Sequence, residues 1–205
     1  MYPRFGLSGS ARALTFNGKM YLIGGWNPGD KKNFPRICNN EVWSSADGKT
    51  WTIRVRKGIY FADDPVFKGK RRELTAADYV YAIKRILDPK MRSNSLQAVD
   101  GRFVGADALV AKAKETGSFD YDTPLEGLQS VDRHTLRFEL AFADYELLSN
   151  LTTTAFSAVA REVIEAYRDG NGWAMANPVG TGPYRLKDWR RSQRIVLEAN
   201  PGFRD

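Results

Sequence analysis

The sequence predicts an α/β fold, a lobe of mixed sheet and helices preceded by an antiparallel β segment, and three observations lead there. Residues 1–51 contain four strand-like runs and no helical periodicity. Beyond Thr52, apolar residues recur at helical spacing in some stretches and alternate with polar ones in others, the two patterns that separate amphipathic helix from half-buried strand. Hydrophobic content of 42% and charged content of 27% over 205 residues match a globular chain long enough for one or two domains with a substantial core.

The elements follow in order. Ala13-Leu14-Thr15-Phe16 reads as a strand that ends at Asn17-Gly18, a strong hairpin signal because both residues tolerate positive φ. Lys19-Met20-Tyr21-Leu22-Ile23 is its partner and stops at Gly24-Gly25. After a polar loop, Glu41-Val42-Trp43-Ser44 and Thr50-Trp51-Thr52-Ile53 form the next pair across Asp47-Gly48. Thr75-Ala76-Ala77-Asp78 has the form of a capping box, with an acid where the helix N-terminus favours one. Val80, Ile83 and Leu87 then share a helical face until Asp88-Pro89 ends the run. A second helix is expected near residues 106–115, stopped by Gly117. Val131-Asp132-Arg133-His134 turns into the alternating strand Thr135-Leu136-Arg137-Phe138-Glu139-Leu140. Short helices are expected near residues 145–151 and 161–167. The chain closes on a hairpin, Tyr184 to Trp189 and Arg194 to Glu198, around Arg190-Arg191-Ser192.

Charge and composition narrow the function classes. The formal net charge is +7, yet basic and acidic residues are mostly interspersed, which argues against a nucleic-acid partner. The densest basic run, Lys68-Gly69-Lys70-Arg71-Arg72, is expected to be a solvated loop. Cys38 is the single cysteine, so no internal disulfide can form. No apolar run approaches membrane-spanning length, and Met1-Tyr2-Pro3-Arg4 is not followed by a signal-peptide core, so the chain as given reads as cytoplasmic.

Two resemblances organise these elements. Gly18-Lys19-Met20-Tyr21-Leu22-Ile23-Gly24-Gly25, then Asn40-Glu41-Val42-Trp43 and Trp51, resemble one kelch repeat, a four-stranded propeller blade. No second copy follows, and a propeller needs several blades. From Asp47 onward three blocks resemble the family 5 extracellular solute-binding proteins, which capture peptides and related solutes for ABC importers. They are Asp47 to Phe61 continuing through Leu74 to Pro89, Leu125-Glu126-Gly127-Leu128-Gln129-Ser130-Val131-Asp132 with Thr135 to Phe138, and Asn177-Pro178-Val179-Gly180-Thr181-Gly182-Pro183-Tyr184-Arg185-Leu186 with Ile195 to Pro201. The expected organisation is therefore a kelch-like blade over 1–52 and part of a periplasmic-binding-protein-like lobe over 47–205, sharing the hairpin at 40–54.

The second resemblance implies a periplasmic or extracellular binding protein that is not an enzyme. It implies a peptide or similar small solute as ligand, an ABC permease as partner in complete relatives, and no cofactor or metal. Because family members close two lobes around the ligand, the chain is expected to be truncated and not import-competent alone. The alternatives are a kelch-type interaction module, self-associating through exposed strand edges, and a non-functional fragment. Candidate ligand-binding residues are Gly180, Thr181 and Gly182, which offer backbone amides and a hydroxyl, and Thr154 and Phe156, which end a small polar run. Asp63-Asp64 and Asp120/Asp122 are read as solvated carboxylates. His134, the single histidine, starts a strand, and its pairing with Cys38 as base and nucleophile is not favoured.

Overall fold

The computed structural model describes residues 12–16, 19–23, 42–144, 150–151 and 153–203. Cys38, Trp26 and most of the helix expected near 145–151 lie outside the described residues.

Six strands form one sheet in the order β1-β2-β3-β4-β6-β5. They are β1 (Arg12–Phe16), β2 (Lys19–Ile23), β3 (Val42–Ser45), β4 (Thr50–Arg54), β5 (Leu128–Asp132) and β6 (Thr135–Glu139). The four strands expected over residues 1–52 are present in sequence order, but the sheet does not end at β4. That strand is interior, paired with β3 through Trp43↔Ile53 and with β6 through Trp51↔Phe138 and Ile53↔Leu136. Among the described residues every strand pairing is antiparallel, where the sequence reading expects a mixed sheet. The cause is local: β5 and β6 are joined by the two residues Arg133 and His134, so β6 must run back along β5, and it meets β4 head to tail.

The turn between β3 and β4 is built by its own side chains. Gly48 takes φ 73°, as the Asp-Gly signal requires. The Asp47 carboxylate accepts from the amides of Lys49 and Thr50, both at 2.8 Å, and the Ser45 hydroxyl accepts from Gly48 at 2.8 Å. Trp51 folds back to donate its indole N–H to the Gly48 carbonyl at 2.9 Å. Its ring then fills the core beside Ile53, Leu136 and Phe138.

Helix α1 (Ala76–Leu87) covers this face of the sheet, packing on β5 and β6. Its capping box is present: Asp78 accepts from the Thr75 amide at 2.7 Å and hydroxyl at 2.9 Å. Ile83 and Leu87 are buried as expected, with Ile86; Val80 is half-buried. Pro89 ends the helix and opens a 3₁₀ turn capped by Asp88, which accepts from Lys90 at 2.9 Å. Helix α2 (Ala106–Thr116) runs between two glycines with positive φ, Gly105 and Gly117. Helix α3 (Arg161–Tyr167) matches the expected short helix.

One strand escaped the sequence pattern. Of the β5 residues, Leu128 alone is fully buried and Val131 faces solvent, so the alternation that marks a strand is missing. Its neighbour Gly127 is fixed by contact. A Cβ there would lie 2.4 Å from the Val104 amide nitrogen and 2.7 Å from the Glu139 carbonyl oxygen. Three backbone hydrogen bonds meet at this point, Val104 N to Glu139 O (3.0 Å), Gly127 N to Val104 O (2.9 Å) and Glu139 N to Gly127 O (3.0 Å).

Candidate ligand-binding cleft

The last two strands, β7 (Tyr184–Arg190) and β8 (Arg194–Ala199), form a separate two-stranded sheet with a bulge between Leu186 and Asp188. Between this hairpin and the segments 62–64 and 176–179 lies a cleft of about 520 Å³. Its lining is strongly charged: Asp63, Asp64, Asp188 and Glu198 against Arg185, Lys187 and Arg191, with Trp189 as the aromatic wall.

Much of that charge is already matched. Arg185 donates to Glu198 at 2.7 Å, and Lys187 approaches the same carboxylate at 3.5 Å. Desolvation opposes the Glu198 charge, but the bonds from Arg185 and then Lys187 hold its carboxyl below the usual range. Asp188 takes Arg194 at 3.0 Å and Arg190 at 3.3 Å. Asp64 accepts from the Val66 amide and from the Tyr167 hydroxyl, both at 2.9 Å. Helix α3 therefore pins one wall of the cleft.

A second anchor for that wall is Arg72. The expected solvated run ends one residue before it, because Arg72 lies among acids and backbone. It donates to Asp78 at 2.6 Å, to Glu162 at 2.6 Å and to the Glu73 carbonyl at 2.5 Å, and its guanidinium sits over Phe61 at 5.6 Å. Burial works against its charge, yet the bonds to Asp78 and then Glu162 outweigh it and raise its proton affinity. Phe61 N in turn donates to Arg72 O at 2.9 Å. The capping acid of α1 and the first turn of α3 are thus joined through one side chain to the segment that leads into residues 62–64.

The sequence candidates divide. Gly180, Thr181 and Gly182 lie in sequence between the cleft-lining Val179 and the start of β7 and do not themselves line the cleft. Ala62 N donates to Gly180 O at 2.8 Å, while Asn200 binds Gly182 O through its side-chain amide at 2.9 Å and Pro183 O through its backbone at 2.8 Å. The Gly180 and Gly182 carbonyls are spent on structure; among the described residues no hydrogen bond engages the amides of residues 180–182. A Cβ at Gly180 would meet nothing within 4 Å, so steric need does not explain that glycine. Thr154 is exposed, and Phe156, 2% exposed, belongs to the core beneath the sheet rather than to the cleft. Trp51 packs in the same core, and Trp173 is exposed. His134 places Nε2 3.4 Å from Glu73.

Sequence reasoning passes over three further residues. Lys84 sits on the core side of α1, 4% exposed, and donates to the carbonyls of Tyr121 at 2.9 Å and Thr123 at 2.6 Å. Burial pushes its ammonium group toward release of its proton. Arg185 and its partner Glu198 were read as ordinary strand residues, though their cross-strand position was a signal of pairing.

Comparison with known proteins places this geometry. The model of the bacterial extracellular solute-binding proteins, family 5, matches residues 34–205, a span that begins before β3. The periplasmic oligopeptide-binding protein OppA of Salmonella typhimurium is 29% identical over 178 residues, covering 86% of this chain and 30% of that protein. The dipeptide-binding protein of Escherichia coli is 30% identical over 175 residues, covering 80% and 29%. The solved structure of the Escherichia coli murein tripeptide binding protein MppA superposes with a TM-score of 0.61 at 28% identity, over 78% of this chain and 29% of that one. The chain spans about 30% of the length of the curated relatives it matches.

Proposed function

The chain belongs to the bacterial extracellular solute-binding proteins of family 5, and from that premise we propose that it supplies part of the peptide-binding component of an ABC-type importer. Its relatives are named for binding oligopeptides and dipeptides, and the two named proteins are binding proteins, not enzymes. The ligand is a peptide or similar small solute, the partner an ABC permease, and the compartment periplasmic or extracellular.

The observation that carries this reading is the 180–182 loop. The Gly180 and Gly182 carbonyls are tied to Ala62 and Asn200, while the amides of residues 180–182 have no hydrogen-bond partner among the described residues and follow directly on the cleft-lining Val179. A peptide backbone presents carbonyl oxygens that such amides can bind, and binding through main chain tolerates varied side chains. Gly180, Thr181 and Gly182 are the ligand-contacting residues in this proposal, with Trp189 as the aromatic surface of the cleft. Phe156 supports the fold from the core, and Thr154 has no part in the cleft. The kelch-type alternative lacks comparable support, since β4 is flanked on both edges by strands of one continuous sheet.

The test is an NMR titration of the isotopically labelled chain with di- to tetrapeptides. Amide shifts concentrated at residues 180–182, with the Trp189 indole, are the expected result even at millimolar affinity. Shifts confined to the α1–sheet body, or none at saturating peptide, would refute the assignment.

A further inference from the structure

A basic knuckle projects from the ribbon in which Tyr60 bridges Glu73. Lys68 (φ 53°) and Gly69 (φ 74°) are both left-handed and fold the run Lys68-Gly69-Lys70-Arg71 into a tight turn. Its base is rigid. Lys68 N donates to Pro65 O and Lys70 N to Phe67 O, each at 3.0 Å; Phe67 is buried, and Arg72 is locked by Asp78 and Glu162. Lys68, Lys70 and Arg71 themselves are exposed, and no ion pair engages any of them among the described residues. Arg71 lies over the Tyr60 ring at 3.9 Å, an arrangement that steadies the side chain and keeps its charge. Two acids stand near the base. Asp63 is exposed, and Asp64 is held by Val66 and Tyr167.

We propose that this knuckle is a docking surface for the anionic headgroups of a lipid bilayer. Three exposed cations with no ion-pair partner among the described residues, on a hydrogen-bonded turn, present a concentrated positive field, and the chain's net charge of +7 adds to it. The large exposed apolar side chains of the described residues all lie elsewhere, the nearest in sequence being Val131. The knuckle therefore lacks the buried aromatic or aliphatic anchor that a protein interface needs at its centre, whereas an anionic membrane surface requires only charge within a screening length.

The experiment is co-sedimentation of the full chain with phosphatidylcholine vesicles, with and without phosphatidylglycerol. Binding is expected to vesicles containing phosphatidylglycerol at low salt, and to vanish near about 1 M salt, where the screening length is about 3 Å. The triple variant Lys68→Gln/Lys70→Gln/Arg71→Gln should bind on the order of 100-fold more weakly. A control triple, Lys112→Gln/Lys114→Gln/Arg168→Gln, removes the same charge from exposed positions elsewhere and should change binding little. Unchanged circular dichroism and melting temperature will show that both triples fold. Equal weakening by the two triples, indifference to phosphatidylglycerol, or absence of vesicle binding at low salt would each overturn the proposal.

Discussion

The α1–sheet body and the β7–β8 hairpin are both antiparallel β structure, yet they are held by different forces. In the body, Trp51, Ile53, Leu128, Leu136 and Phe138 close an apolar interior with Ile83 and Leu87 of α1. In the hairpin no residue of either strand is buried, and Tyr184, Ile195 and Leu197 are 66%, 63% and 56% exposed. Cross-strand ion pairs and the links through Ala62 and Asn200 secure it instead. Hydrophobic burial gives the body most of its stability, whereas exposed ion pairs each contribute little. The cleft lies where the two regimes meet.

Substitutions should separate the two regions by the size of their effects. The largest loss is expected for Trp51→Ala and Phe138→Ala, about 3–5 kcal/mol each, seen as a fall in the denaturant midpoint. Gly127→Ala should follow at about 1–3 kcal/mol or more, because the contact atoms around it are backbone and cannot yield. Asp78→Asn breaks the pair with Arg72 inside a largely desolvated site; about 3 kcal/mol is expected, with Glu162→Gln milder because that carboxylate is half-exposed. At the small end, Ile195→Ala and Leu197→Ala should stay within about 0.5 kcal/mol, and Arg185→Gln within about 1 kcal/mol. A hairpin variant as damaging as a body variant would erase the distinction.

Acidity offers an independent probe. Glu162 is opposed by desolvation but held below the usual carboxyl range by its hydrogen bond from Arg72, and Glu73 is lowered chiefly by the Gly58 amide. A carboxyl whose folded value is depressed stabilises the fold fully above its unfolded value, about 4.3, and the contribution is lost as pH falls through the folded value. Stability should therefore decline below about pH 4, and Glu162→Gln should flatten the decline, as followed by urea unfolding across that range.

What the sequence made legible was local. The Asp47-Gly48 turn, the Thr75–Asp78 capping box, the stops at Pro89 and Gly117, and the terminal hairpin each depend on residues a few positions apart. Four joints were not legible because they connect distant stretches: Arg72 with Glu162, Asp64 with Tyr167, Ala62 with Gly180, and Lys84 with the carbonyls of Tyr121 and Thr123. Strand β5 was missed for a different reason. Its exposed Val131 breaks the alternation, and β6 determines its placement more than its own sequence does. An aromatic after a polar run reads the same whether it faces a groove or a core, and Phe156 lies in the core. The family likeness of 47–205 supplied what periodicity could not, and the kelch likeness of 1–52 did not anticipate that its last strand would lie inside a larger sheet.

The position of β4 between β3 and β6 also bears on synthesis. When Arg54 has left the ribosome, β4 can pair with β3, but its other edge must wait for Thr135–Glu139. At ordinary elongation rates that delay is roughly 4–17 s. During it, a strand carrying Trp51 and Ile53 stands with open hydrogen-bonding groups, a template for pairing with neighbouring nascent chains. The sheet is therefore exposed to mispairing by its strand order, independently of the stability of the finished fold.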